Sequence, residues 1–114
     1  MSLTASGNVR IITDPSLHSF DSGKVVCNFA CGIMEGKDKN GNYINNAIDV
    51  EVWGKSAEII VDRCKKGDCI YIIGNIRRQE WEDKKTGEKR SKHVLAANKF
   101  EFLPRINNNN EDLF

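Results

Sequence analysis

A chain of 114 residues has room for one hydrophobic core, and a second independent core would be too small to bury. With 39% hydrophobic and 29% charged residues the composition is that of an ordinary globular domain and excludes a wholly disordered polymer. A formal net charge of +1 excludes a protein that holds nucleic acid by charge alone, although without Arg105, Glu111 and Asp112 the first 103 residues carry 16 bases against 14 acids.

Strand character begins at Val9 to Ile12 and stops at Asp14-Pro15, a turn initiator that also removes a backbone donor. After the turn signal Asp21-Ser22-Gly23, Lys24 to Met34 forms a long apolar strand candidate. Glu35 to Asn46 is a polar hairpin tip around Asn40-Gly41, a pair suited to tight reversal. Ala47 to Trp53 then alternates, with Ile48, Val50 and Val52 on one face and Asp49, Glu51 and Trp53 on the other.

Ser56 to Cys64 places Ile59, Ile60 and Arg63 at helical spacing, with Ser56 as N-cap and Gly67 as stop. Asp68 to Trp81 is the longest extended segment. Its two faces are Ile70, Ile72, Gly74 and Ile76 against Tyr71, Ile73, Asn75, Arg77, Gln79 and Trp81. Gly74 inside it implies sharp curvature. A second polar tip, Glu82 to Lys92, leads to a last strand, His93 to Leu103, ended by Pro104. Three strands, a short helix and two more strands is the element order of an oligonucleotide-binding (OB) barrel. The expected class is therefore all-β: a five-stranded OB-fold barrel over residues 1–103, with one short helix between strands 3 and 4. Residues 104–114, with their asparagine run, are expected to form a short disordered tail.

Cys27 and Cys31 share strand parity about 13 Å apart, too far for one tetrahedral ion, and Cys64 and Cys69 are spaced wider than a zinc knuckle. All four are expected to be reduced packing residues, with no metal site. Met1 to Asp14 has no secretory signal pattern and no run approaches the roughly 20 apolar residues of a membrane span. A cytoplasmic protein without membrane attachment is expected, associated with the nucleoid or, for a viral protein, in the host cytoplasm. His18 and His93 lie far apart and belong to no catalytic constellation, so no enzyme and no cofactor is expected.

Gripping an arbitrary single strand requires cations for phosphates and flat side chains for bases, because every base has a π-face. Trp53 and Trp81 lie at strand ends opposite the Ile/Val face. Arg77 shares the parity of Trp81, and Lys84, Lys85, Lys89, Arg90 and Lys92 crowd the adjoining hairpin.

An ordered series of motifs from Asp14 to Leu103 resembles the bacterial-type single-stranded DNA-binding proteins. It comprises Asp14-Pro15-Ser16-Leu17-His18-Ser19-Phe20 with Gly23 and Val26-Cys27-Asn28-Phe29. Val52-Trp53-Gly54-Lys55-Ser56-Ala57-Glu58 follows, then Lys66-Gly67-Asp68 through Ile76, with Trp81 and Gly87. The resemblance implies sequence-nonspecific binding and protection of single-stranded DNA in replication, recombination and repair. Trp53 and Trp81 take the family's base-stacking positions, with Tyr43 and Phe20 as further candidates, Phe20 more often a core residue at this motif. Lys55, Arg77, Lys84, Lys85, Lys89, Arg90 and Lys92 are the candidate phosphate contacts. Ala47 and Gly36 or its neighbour replace other stacking aromatics, and Asp49 stands where a basic residue is common.

The terminal Glu111-Asp112-Leu113-Phe114 resembles the family's acidic tip, which docks replication and repair proteins. A homotetramer or a dimer is also implied. The competing readings are an OB-fold RNA-binding module, or an assembly module with the tryptophans buried between subunits.

Overall fold

The computed structural model describes residues 2–103, without the side chains of residues 34, 35 and 43–45. Six strands and one helix follow in order: β1 (Leu3–Ile11), β2 (Ser16–Ser19), β3 (Val25–Lys37), β4 (Tyr43–Trp53), α1 (Lys55–Arg63), β5 (Cys69–Glu82) and β6 (Lys89–Phe102). Hydrogen bonding runs β1-β5-β6-β4-β3, and Arg10↔Gly32 and Ile11↔Cys31 close β3 back onto β1. The closing β4–β6 contact is parallel, Asp49↔Val94 through Glu51↔Ala96, while the other pairs are antiparallel. This five-stranded ring with a helix between its third and fourth strands is the expected OB barrel.

Closure turns the alternating pattern into an inside and an outside. Ile70 and Ile72 of β5, Val50 and Val52 of β4, and Cys27, Phe29 and Cys31 of β3 all point inward and are buried. The helix plugs one end with Ala57, Ile60 and Cys64 buried and Val61 packed beside them. Arg63, expected on the same stripe as Ile60, is exposed instead. Ser56 is not the N-cap: Gly54 is, at φ 75°, because the chain must reverse directly after Trp53 and only glycine takes that conformation without strain.

Several strands differ from expectation: β3 runs on to Lys37, while β4 starts at Tyr43 and β6 at Lys89 rather than at Ala47 and His93, so both hairpin tips are shorter than their polar sequences suggest. β1 starts at Leu3 rather than Val9, since Ala5 and Gly7 face inward opposite Gly74 and Ile72 and are too small to leave an apolar signal. β2 is an additional four-residue strand, exposed throughout, that extends the sheet by pairing Ser16–Ser19 with Val25–Asn28. Asp14, read as a turn initiator, also accepts the backbone N–H of Lys66 at 2.8 Å, and Ile11 accepts that of Gly67 at 2.7 Å. The connection from helix to β5 is thereby tied to the end of β1.

None of the four cysteines is in a disulfide. Burial is the main cause that pushes the Cys27 thiol up to about 11 and the Cys31 thiol up to about 12, with Cys64 beside them adding to it. Cys27 and Cys31 remain protonated at neutral pH and act as small apolar packing groups.

Candidate nucleic-acid interface

The outward face of the ring is a set of cross-strand rows. His18, Val26 and Trp53 form one; Asn28, Glu51, Ala96 and Asn75 the next; Ala30, Asp49, Val94 and Arg77 a third. Beyond the ring, β5 and β6 continue as a two-stranded arm with Gln79 opposite Lys92 and Trp81 opposite Arg90. Trp53 and Trp81 therefore lie on one continuous face, one at the end of β4 and one far out on the arm. The register separates them by eight strand positions, a contour of about 26 Å.

Both tryptophans expose large surfaces, 44% for Trp53 and 43% for Trp81. Trp53 is stacked against Phe20 with centroids 5.8 Å apart and planes 15° apart, and His18 meets Phe20 edge-on at 4.5 Å. Phe20 is itself exposed, so the alternative of a core position does not hold. Trp81 has no ring neighbour among the described residues, and the Lys92 ammonium is 5.9 Å from its centroid. Tyr43, the third expected stacking residue, lies outside the described side chains.

Between the tryptophans the surface dips into a groove of about 390 Å³ lined by Asn28, Ala30, Asp49, Glu51, Gln79 and Lys92, among others. The electrostatics here differ from a lane of free cations. Glu51 is buried and accepts two hydrogen bonds from Arg77, from Nε to Oε1 and from Nη2 to Oε2, the latter 2.6 Å long. The Glu51 hydrogen bond holds the Arg77 guanidinium above its ordinary value. Lys92 donates to Asp49 at 2.9 Å. Both acids that share a face with Trp53 are thus paired with cations, and two of the expected phosphate contacts are the groups that pair with them.

Arg90 is also engaged, pairing with Asp83 at 2.9 Å and with Glu88 at 3.8 Å. Lys55, Lys84, Lys85 and Lys89 are exposed and have no ion-pair partner among the described residues. Lys55 opens the helix two residues after Trp53, and Lys84, Lys85 and Lys89 surround the arm's tip. Asn28 and Gln79 were missed as groove residues, although Gln79 shares the parity of Arg77 and Trp81.

Asp83 organises that tip. Its carboxylate accepts the backbone N–H of Lys85 at 2.8 Å, that of Thr86 at 3.4 Å and the Arg90 Nε. The Lys85 N–H, first among these, holds the carboxyl below its ordinary value of 3.8. A carboxyl lowered by folding contributes order that is fully present above the ordinary value and lost as pH falls through the lowered one. The Lys85 and Thr86 amide resonances should therefore hold steady through neutral pH, move together below about pH 4, and already be displaced at neutral pH in Asp83→Asn.

Comparison with known proteins decides the family. The Single-strand binding protein family matches residues 5–103, nearly the whole described chain. This chain belongs to the single-strand binding protein family. A single-stranded DNA-binding protein 1 from Synechocystis sp. is 38% identical over 98 residues, covering 86% of this chain and 80% of its own. The single-stranded DNA-binding protein of Thermosynechococcus vestitus is 30% identical, covering 82% and 76%, and one from Chlorobaculum tepidum is 38% identical, covering 79% and 57%. The family match takes in every strand of the ring and both exposed tryptophans. The tip Glu111, Asp112, Leu113 and Phe114 lies outside the described residues. Among the described residues no helix is long and apolar enough to cross a membrane.

Proposed function

We propose that this chain binds single-stranded DNA along the outer face that runs from Trp53 to Trp81, by capture and release rather than by catalysis. The carrying observation is that two half-exposed tryptophans share one face with a lysine-bearing arm, in a chain of the single-strand binding protein family. Relatives named single-stranded DNA-binding proteins support the choice of ligand. Stacking reads no hydrogen-bonding pattern, so the binding is sequence-tolerant, and it protects exposed strands during replication, recombination and repair. Lys55, Lys84, Lys85 and Lys89, which have no ion-pair partner among the described residues, carry the phosphate contacts. A homotetramer or dimer brings several such faces onto one strand, and the acidic tip Glu111-Asp112-Leu113-Phe114 recruits replication and repair proteins.

Titration with oligo(dT), oligo(U) and duplex DNA, followed by tryptophan fluorescence, tests the reading. Oligo(dT) should quench emission and bind tightest. Lys55, Lys84, Lys85 and Lys89 have no ion-pair partner among the described residues, so the slope of log K against log salt should be no steeper than about −3 for each face engaged. Equal affinity for all three polymers, or tightest binding to oligo(U), would overturn the assignment.

A further inference from the structure

Asp49 occupies the middle of the groove, and its only charged partner among the described residues is Lys92. The two residues come from different elements. Val94 is the parallel-register partner of Asp49, and Lys92 lies two positions earlier on β6, on the same face. Their side chains remain 48% and 44% exposed, so the pair is in contact with solvent and open to competition. Lys92 also stands over the Trp81 ring, its ammonium 5.9 Å from the centroid. One ammonium thus bridges the acid of the groove and the stacking platform of the arm.

A phosphate oxygen and a carboxylate oxygen compete for the same ammonium with similar geometry. While Asp49 holds Lys92, the lysine cannot offer its full charge to a strand lying across Trp81, and little counterion is released there. We propose that Asp49 is an affinity-limiting residue: a built-in substitute for phosphate that sequesters Lys92 and weakens the grip of the groove on single strands. The Glu51–Arg77 pair differs because Glu51 is buried and doubly hydrogen-bonded, which makes it a fixed part of the floor. Asp49 and Lys92 form the pair that a ligand can open. Transient binding suits a protein that must be displaced from the strand it covers.

The inference rests on Trp81 belonging to the DNA-binding face, and its test separates the two claims. In a Trp53→Phe background Trp81 is the sole tryptophan, so emission of the free protein reports on Lys92. Asp49→Asn should shift that emission as Lys92→Gln does, and the double variant should add nothing further. With oligo(dT), Asp49→Asn should bind about three- to tenfold more tightly in low salt. Its salt slope should steepen by about 0.7, the increment for one further phosphate contact on a single strand. In the Lys92→Gln background the same substitution should leave the slope unchanged.

Unaltered Trp81 emission in Asp49→Asn, or binding no tighter than the parent, would overturn the proposal. An equal change of slope in both backgrounds would also overturn it, by reducing Asp49 to a general repulsive charge. If Trp81→Ala bound DNA as well as the parent, the underlying assignment of the face would fail instead.

Discussion

Trp81→Ala should weaken binding to oligo(dT) by about ten- to a hundredfold, and Trp53→Ala by a smaller factor, about fivefold. Both figures follow from stacking worth roughly 1 to 3 kcal/mol per base, with about 1.4 kcal/mol per tenfold change. The difference between them comes from the surroundings. Trp53 lies parallel to Phe20, which is itself 43% exposed, so removal of the indole uncovers a second ring on which a base can rest. Trp81 has no aromatic neighbour among the described residues, and its loss leaves Lys92 over empty surface. Phe20→Ala should accordingly cost little alone and more when Trp53 is already alanine. Affinity titration of the single and paired variants checks this, and equal losses at Trp53 and Trp81 would contradict the role given to Phe20. Both side chains lie on the outer face, so unfolding midpoints should stay close to the parent's.

The second large effect concerns stability and falls at Gly74. Here β5 and β6 slip register: Ile73 pairs with Lys99 but Gly74 with Ala97, leaving Asn98 as the extra residue of a bulge. The bulge brings backbone against backbone. A Cβ on Gly74 would stand 2.3 Å from the Ala96 carbonyl oxygen and 2.8 Å from the Ala97 Cα. No rotamer change relieves such a clash, and β6 itself would have to move. Overpacking ordinarily costs about 1 to 3 kcal/mol, and an immovable obstacle puts Gly74→Ala at the upper end, about 3 kcal/mol. For a domain of this size that corresponds to a fall in Tm of about 12 to 20 °C. Gly7→Ala is the control: a Cβ there meets nothing within 4 Å, and the change should stay within about 0.5 kcal/mol. Denaturant midpoints for the two variants decide the matter.

The features legible in the sequence are those with a local cause. The alternation of Ile48, Val50 and Val52, the glycine at 74 and the short apolar helix after Gly54 each encode their own geometry, and together they fix the order of the barrel. The first half of β1 was hidden because Ala5 and Gly7 are too small to leave an apolar signal, although the ladder to β5 runs from Leu3 to Arg10. In the helix the buried stripe is Ala57, Ile60, Val61 and Cys64, spaced i, i+3, i+4 and i+7, and Arg63 falls beside it with its charged head in solvent.

The tryptophans of the candidate site could be found by parity alone. Their charged neighbours could not be interpreted that way. Whether Asp49 repels a strand or is already neutralised depends on the parallel register of β4 with β6, a contact between residues more than forty positions apart. Sequence shows three acids and several bases near one face. Only the folded register shows that Arg77, Lys92 and Arg90 are engaged with acids while Lys55, Lys84, Lys85 and Lys89 have no such partner among the described residues.

The most direct test of the binding face is a map of NMR shift changes on adding oligo(dT). The indole N–H resonances of Trp53 and Trp81 should move most, joined by the side-chain amides of Asn28 and Gln79 and the backbone of the arm from Gln79 to Lys92. Changes centred on the smaller hollow at the other end, beside Cys69 and Phe102, with both indoles unmoved, would contradict the account.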